Sequence, residues 1–244
     1  MRRLIKGRMM WNKIVLSGLV ATLLVILAGP TVSAQFAYSI KPVNRFTMPK
    51  GNIIVDGDLI TGIPHSIVFN YDWNLFQRYD PDNYMTGMGS LMVWHEKDEQ
   101  GCLYIDLRVD GSKKYKFGFL LKVEDLTLVE DGSWLRWGLY LKDGKGAWLN
   151  MDSLKEKPAD YLNGMVPNGT VIYTPREIDL GDGPKVLTGS TDWLLVEITA
   201  DLPALAADLN AGGGRIASVR LEQSLYYSYG KVWINCVYAV PVTE

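Results

Sequence analysis

Histidine and cysteine are scarce in this chain: His65, His95, Cys102 and Cys236 are the only ones in 244 residues. They form no CxxC pair, no HExxH helix and no histidine cluster, so zinc hydrolysis and Ser-His-Asp chemistry lack their residues. A histidine without a partner motif reads as structural. An excess of positive charge is lacking too, with 25 Lys and Arg against 27 Asp and Glu. Nucleic acid is held by basic surfaces, so the balance speaks against that partner. Helical periodicity is almost missing. Its best stretch, LPALAADL from Leu202 to Leu209, opens near Asp201 and Pro203 and reads as a brief helical turn in a loop. Aromatic residues are plentiful by contrast, with 8 Trp and 13 Tyr. One core cannot satisfy so many polar ring edges, so many of them belong at surfaces.

The amino terminus has three zones. Met1 to Lys13 carries Arg2, Arg3, Lys6, Arg8 and Lys13 and no acid; Ile14 to Gly29 is uncharged and apolar; Pro30 then breaks the run, and the small residues Val32 and Ala34 follow. This is the pattern of a signal peptide over residues 1–34, cut before Gln35. The apolar run falls short of the roughly 20 residues of a membrane span, so membrane contact is expected only through an uncleaved signal. The expected location is extracytoplasmic: secreted, at a cell surface or in a periplasm. Past residue 34 the chain holds 20 basic and 27 acidic residues, a net charge of −7, which disfavours general adhesion to anionic lipid. Residues 35–50, with Pro42 and Pro49, read as a lead-in, and residues 51–244 as one domain large enough for a real core.

Strand-like runs fall at 63–73, 90–96, 102–110, 114–123, 134–142, 169–175, 193–200, 215–223 and 231–242, parted by turn signals such as DPDN, DGSKK, KDGKG and NAGGG. Short strands at this spacing predict an all-β, antiparallel two-sheet β-sandwich. Asn150 to Pro167 reads as a loop insertion. Alternation assigns the faces. Leu103, Ile105, Leu107 and Val109 oppose Tyr104, Asp106 and Arg108. Leu135, Trp137, Leu139 and Leu141 oppose Trp134, Arg136, Tyr140 and Lys142. Leu194, Val196 and Ile198 oppose Trp193, Glu197 and Thr199, and Arg220 shares a side with Glu222. In the last run Val232, Ile234, Cys236, Tyr238 and Val240 point inward, and Trp233 and Asn235 away. Cys102 and Cys236 then diverge and are not expected to pair. A face of Tyr, Trp, Arg and carboxylate reads as a ligand surface. The competing reading is a third layer, from the Asn150 to Pro167 loop or the lead-in, lying over it.

Four segments carry a resemblance: GMGSLMV (87–93), GSTDWLLVEITADLPAL (189–205), GGGRIASVRL (212–221) and GKVWINCVYAV (230–240). Together they resemble the jelly-roll carbohydrate-binding modules of the galactose-binding-like type, over roughly residues 53–240. The resemblance implies secreted, non-catalytic polysaccharide binding across a sheet face. Aromatic rings would stack on sugar rings, and charged groups would pair with hydroxyls. The residues so nominated are Tyr104, Asp106, Arg108, Trp134, Arg136, Tyr140, Arg220 and Glu222. Many such modules hold a structural calcium through an Asp of the last strand. Asn235 stands there in this chain, with Asp56 and Asp58 as its candidate partners, although DGD is also strong turn chemistry. No other cofactor is implied. Arg108, Arg136 and Arg220 hint at acidic sugars, because Arg pairs with carboxylate bidentately.

Two further readings stay open. One is a glycoside hydrolase or polysaccharide lyase on a similar sandwich, using Asp106, Glu197 and Glu222 across a cleft. The other is an exported structural or adhesive protein. The export reading has a direct check: the terminal peptide of exported protein, read by mass spectrometry, is expected to start at Gln35, and material starting at Met1 contradicts cleavage.

Overall fold

The computed structural model describes residues 35–60, 67–70, 75–95, 101–129, 134–154, 171–173 and 176–242, all within the compact unit Gln35–Glu244. The signal-peptide residues, His65 and residues 155–167 of the expected insertion lie outside the described residues.

Two antiparallel sheets face each other, as the strand pattern predicts. The larger has six strands in the order β1 (Phe36–Pro42), β11 (Leu194–Asp201), β6 (Lys114–Leu128), β13 (Ser228–Pro241), β4 (Ser90–His95) and β3 (Leu75–Asp80). The smaller has five: β2 (Ile67–Asn70), β5 (Gly101–Arg108), β12 (Ile216–Tyr226), β7 (Trp134–Asp143) and β8 (Val171–Tyr173). A separate hairpin joins β9 (Glu177–Asp179) to β10 (Pro184–Val186). Among the described residues the one α-helix is α1 (Leu202–Asp208), with Pro203 in its first turn and Asp201 Oδ1 accepting from the Ala204 N–H at 3.0 Å. That is standard amino-terminal capping. The core is the shared apolar layer, with Leu103, Ile105, Leu107, Leu135, Leu139 and Leu141 from one sheet meeting Phe117, Phe119, Leu121, Val196 and Ile198 from the other.

The lead-in is more than a leader. Its Phe36–Pro42 segment is the edge strand β1, in register with β11 from Phe36 opposite Ala200 to Pro42 opposite Leu194. Pro42 ends a strand that is paired on one side only, so its missing N–H breaks no inner ladder. Beyond it, Val43, Phe46 and Met48 pack on Leu120, Leu195, Cys236 and Tyr238, on the outer side of the six-stranded sheet. The lead-in therefore roofs that sheet, while the face nominated for ligand belongs to the other.

β13 corrects the expected parity. Val232 and Ile234 do enter the core, but Cys236 has φ of 53° and the register to β6 slips between Asn235 and Tyr238. This bulge, with its extra residue, exchanges the faces. Val237 and Ala239 join the core, and Cys236, Tyr238 and Val240 turn to the roofed outer side. The Tyr238 ring lies across Gly118, where any Cβ would stand 2.5 Å from it. Trp233 and Asn235 point away from the core as expected and are nonetheless buried. Trp233 donates its indole N–H to Asp80 at 2.8 Å. A second bulge, between Ile216 and Ser218, explains why the start of β12 has no clean alternation. Cys102 and Cys236 stand on different sheets and form no disulfide. Burial, with Asp58 nearby, pushes the Cys236 thiol up to about 12.

Trp137 is 1 % exposed and packs on Phe119 with ring centroids 6.1 Å apart. Trp137→Ala is expected to destabilise the domain by about 3–5 kcal/mol, the range for emptying such a site, as read by denaturant or thermal unfolding.

Candidate ligand-binding face

The register of β5, β12 and β7 builds the outward face of the five-stranded sheet. Tyr104 lies opposite Glu222, Asp106 opposite Arg220 and Arg108 opposite Ser218. On the other side of β12, Arg136 meets Ser224, Gly138 meets Glu222, Tyr140 meets Arg220 and Lys142 meets Ser218. Trp134 pairs with Tyr226 through its backbone, and its side chain lies outside the described residues. The eight nominated positions thus share one face by register.

Arg220 is the hub of this face. Its Nε and Nη2 donate to Asp106 Oδ1 and Oδ2, both at 2.8 Å. Its guanidinium carbon lies 3.7 Å from the Tyr104 ring centroid and 5.1 Å from that of Trp148. The planar cation is held at its edge by a carboxylate and on its faces by aromatic rings, which suits Arg and not Lys. Trp148 was not foreseen. It reaches the face because the chain turns back after β7: the Asp143 N–H donates to the Ala147 oxygen at 2.9 Å, and Trp148 bridges to Lys142. Lys142 Nζ then sits 4.0 Å from the Trp148 ring, and Tyr140 meets that ring edge-on at 5.8 Å. Continuing the alternation through the KDGKG turn would have found it. Trp148 stays 38 % exposed.

Asp143 fixes the turn. Its Oδ1 accepts from the Lys145 and Ala147 N–H groups, each at 2.8 Å, and its Oδ2 from the Gly212 N–H at 3.0 Å. These bonds, that from Ala147 foremost, hold its carboxyl below the usual carboxylate range.

The face is open at one end and covered at the other. Asp106 and Arg108 are exposed, and Tyr104, Tyr140 and Arg220 are half-buried. Arg136 is only 1 % exposed, with its cross-strand neighbour Ser224 at 2 %. Alternation puts Arg136 on the outward side, as expected, but it is not available to a ligand as the sequence reading supposed. Its charge lies within the field of Glu222. Glu222 is itself buried and accepts from the Tyr140 hydroxyl at 3.2 Å. Burial pushes its carboxyl above the ordinary range, against the opposing pull of Tyr140, Arg220 and Arg136.

The three carboxylates named for hydrolysis do not share a cleft. Glu197 belongs to β11 in the other sheet, where it accepts from the Tyr238 hydroxyl at 2.5 Å and pairs with Lys116 at 3.5 Å. Asp106 has both oxygens on Arg220. Of the proposed calcium ligands, the Asn235 side chain is already engaged on both its oxygen and its nitrogen. The Asn235 side-chain oxygen accepts from the Thr86 and Met85 N–H groups at 3.2 and 3.4 Å, and its amide donates to the Gly89 oxygen at 2.8 Å. Asp56, at φ of 54°, forms the turn that the DGD pattern suggests, its carbonyl accepting from the Leu59 N–H at 2.9 Å.

No family model and no curated protein matches the chain. Several solved structures align with it at low identity. The enzymatically active domain of bacteriophage CBA120 tailspike protein 4 aligns with 78 % of this chain at 9 % identity and a TM-score of 0.49, and this chain spans only 21 % of it. The CBM22-1 xylan-binding domain of Paenibacillus barcinonensis Xyn10C aligns with 77 % of this chain and 92 % of its own length, at 9 % identity and a TM-score of 0.45. TmCBM61, solved with beta-1,4-galactotriose, aligns with 78 % of this chain and 99 % of its own length, at 11 % identity and a TM-score of 0.41.

Proposed function

We propose that this chain is an exported, non-catalytic polysaccharide-binding module that takes sugar rings across the open end of the five-stranded sheet. The observation that carries this reading is the Tyr104–Arg220–Trp148 assembly, with Asp106 on its edge. A pyranose needs an aromatic plane for its CH face and charged or polar partners for its hydroxyls, which resist burial unpaired. Trp148 offers a partly exposed ring beside Tyr140, and Asp106 and Arg220 offer acceptors and donors within the same patch. The ion pair and the stacking hold these groups before any ligand arrives, which lowers the ordering cost of binding. Export rests on the basic, apolar and small-residue zones of residues 1–34. The non-catalytic part rests on the carboxylates: among the described residues of this face, Glu222 is the one carboxylate outside a salt bridge, and general acid–base hydrolysis needs two.

The test is binding to a glycan array followed by calorimetry on the best polymer, with turnover assayed on the same polymer. Trp148→Ala is expected to cost about 1–3 kcal/mol of affinity, the scale of losing an aromatic hot spot, and to leave the melting temperature nearly unchanged. Release of oligosaccharides by the wild type would make the chain an enzyme, and an array with no hits would remove the sugar reading. Glu222 gives a second check, in stability. Its carboxyl is raised above 4.5 in the folded state, so its favourable contribution is complete at low pH and is lost as pH rises through the folded value. Glu222→Gln has no such charge to bury. Thermal melts are therefore expected to show the variant gaining on the wild type as the pH is raised from acid to neutral.

A further inference from the structure

Arg108 and Arg215 line an open groove that continues the binding face beyond Arg220, with Ser218 and Gly144 between them. Both arginines are exposed, and neither side chain has an ion pair or hydrogen bond among the described residues. This sets them apart from the cations nearby: Arg220 is held by Asp106 and Lys113 by Asp110. The acids nearest the groove have their oxygens hydrogen-bonded elsewhere. Asp106 has given both oxygens to Arg220, and Asp143, which lies in the groove wall, accepts from three backbone N–H groups. The groove lining therefore sets two guanidinium charges against the single carboxylate of Asp143, a positive balance, in a sequence whose residues from Gln35 onward carry a net −7.

The groove is also built rather than incidental. The Gly144 N–H donates to the Gly212 and Arg215 oxygens at 2.9 and 3.0 Å, so two loops form one wall. A Cβ on Gly144 would stand 3.3 Å from Arg215 Cγ, and its absence lets the arginine stem lie along the turn. On the strands, the Arg108–Ser218–Lys142 row is two residues from the Asp106–Arg220–Tyr140 row, a step of about 7 Å.

We propose that this groove recognises an anionic substituent, a carboxylate or a sulfate ester, on the polysaccharide bound at Trp148. The inference rests on the sugar-binding reading above and specifies its ligand class. A guanidinium pairs two N–H groups with two oxygens of either anion, and two arginines free of internal partners can do so without breaking an existing bond.

The experiment uses the whole exported protein and two matched polymer pairs: polygalacturonate against its methyl ester, and dextran sulfate against dextran. Affinity is measured by calorimetry at low and high salt. The charged member of one pair is expected to bind at least about 10-fold more tightly than its neutral partner, and the pair that shows this separates carboxylate from sulfate. The preference should weaken with salt and vanish in Arg108→Gln/Arg215→Gln. Arg45→Gln, an exposed arginine in the lead-in, should leave it intact. Equal binding of charged and neutral polymers, or a preference that survives in the double variant, overturns the anion site and leaves neutral sugar binding standing. Failure to bind any polymer here or on the glycan array overturns both. Melting curves of the variants, expected to match the wild type, establish that a lost preference is not lost folding.

Discussion

β12 is hydrogen-bonded on both edges, and its register fixes the rest of the five-stranded sheet. From Ser218 to Leu225 it pairs residue for residue with β5 on one side and β7 on the other. One face of that strand, through Val219, Leu221 and Leu225, closes the core. The other presents Arg220 and Glu222 to their neighbours on both strands. A slip of one residue would put a guanidinium among leucines and valines among the polar groups, an error heavily penalised on both sides of the sheet. The same demand that builds the core therefore also assembles Tyr104, Asp106, Arg220 and Tyr140.

Much of this was legible from alternation alone. Leu103, Ile105 and Leu107, and Leu135, Trp137, Leu139 and Leu141, are buried as their spacing requires. Alternation fails where the backbone gains a residue. Neither the Cys236 bulge nor the one between Ile216 and Ser218 has a marker in the sequence, and each shifts the residues beyond it to the opposite face. Alternation also says nothing about which of two sheets a strand joins, and so Glu197 was grouped with Asp106 and Glu222 although it lies on the other. Nor does it reveal what lies on top of a face. Arg136 is outward-pointing and still buried, because direction and exposure are separate properties. Trp148 was legible in principle, since a turn that closes on Asp143 returns the chain to the side of Lys142.

The two outer faces of the sandwich have different fates. On the six-stranded sheet, Val43, Phe46 and Met48 settle over Leu120, Leu195 and Tyr238, leaving apolar contact where a ligand would need room. On the five-stranded sheet the charged and aromatic residues bind one another first. Asp106 with Arg220, and Lys142 with the Trp148 ring, keep a polar face ordered without a roof at its open end. A sheet face rich in such groups would otherwise be a set of long, mobile side chains, each costing up to about 2 kcal/mol of rotamer freedom to fix.

Asp143 does more than shape a turn. One of its oxygens holds the 145–147 backbone, which sets Trp148, and the other holds Gly212, which begins the loop carrying Arg215. Trp148 and the arginine-lined groove thus hang from a single carboxylate and keep a set separation, like the jaws of a gauge. A polymer bound as proposed would be measured for the distance between its apolar ring face and its charge, as well as for possessing them. Polymers with the same constituents at another spacing would meet one jaw at a time.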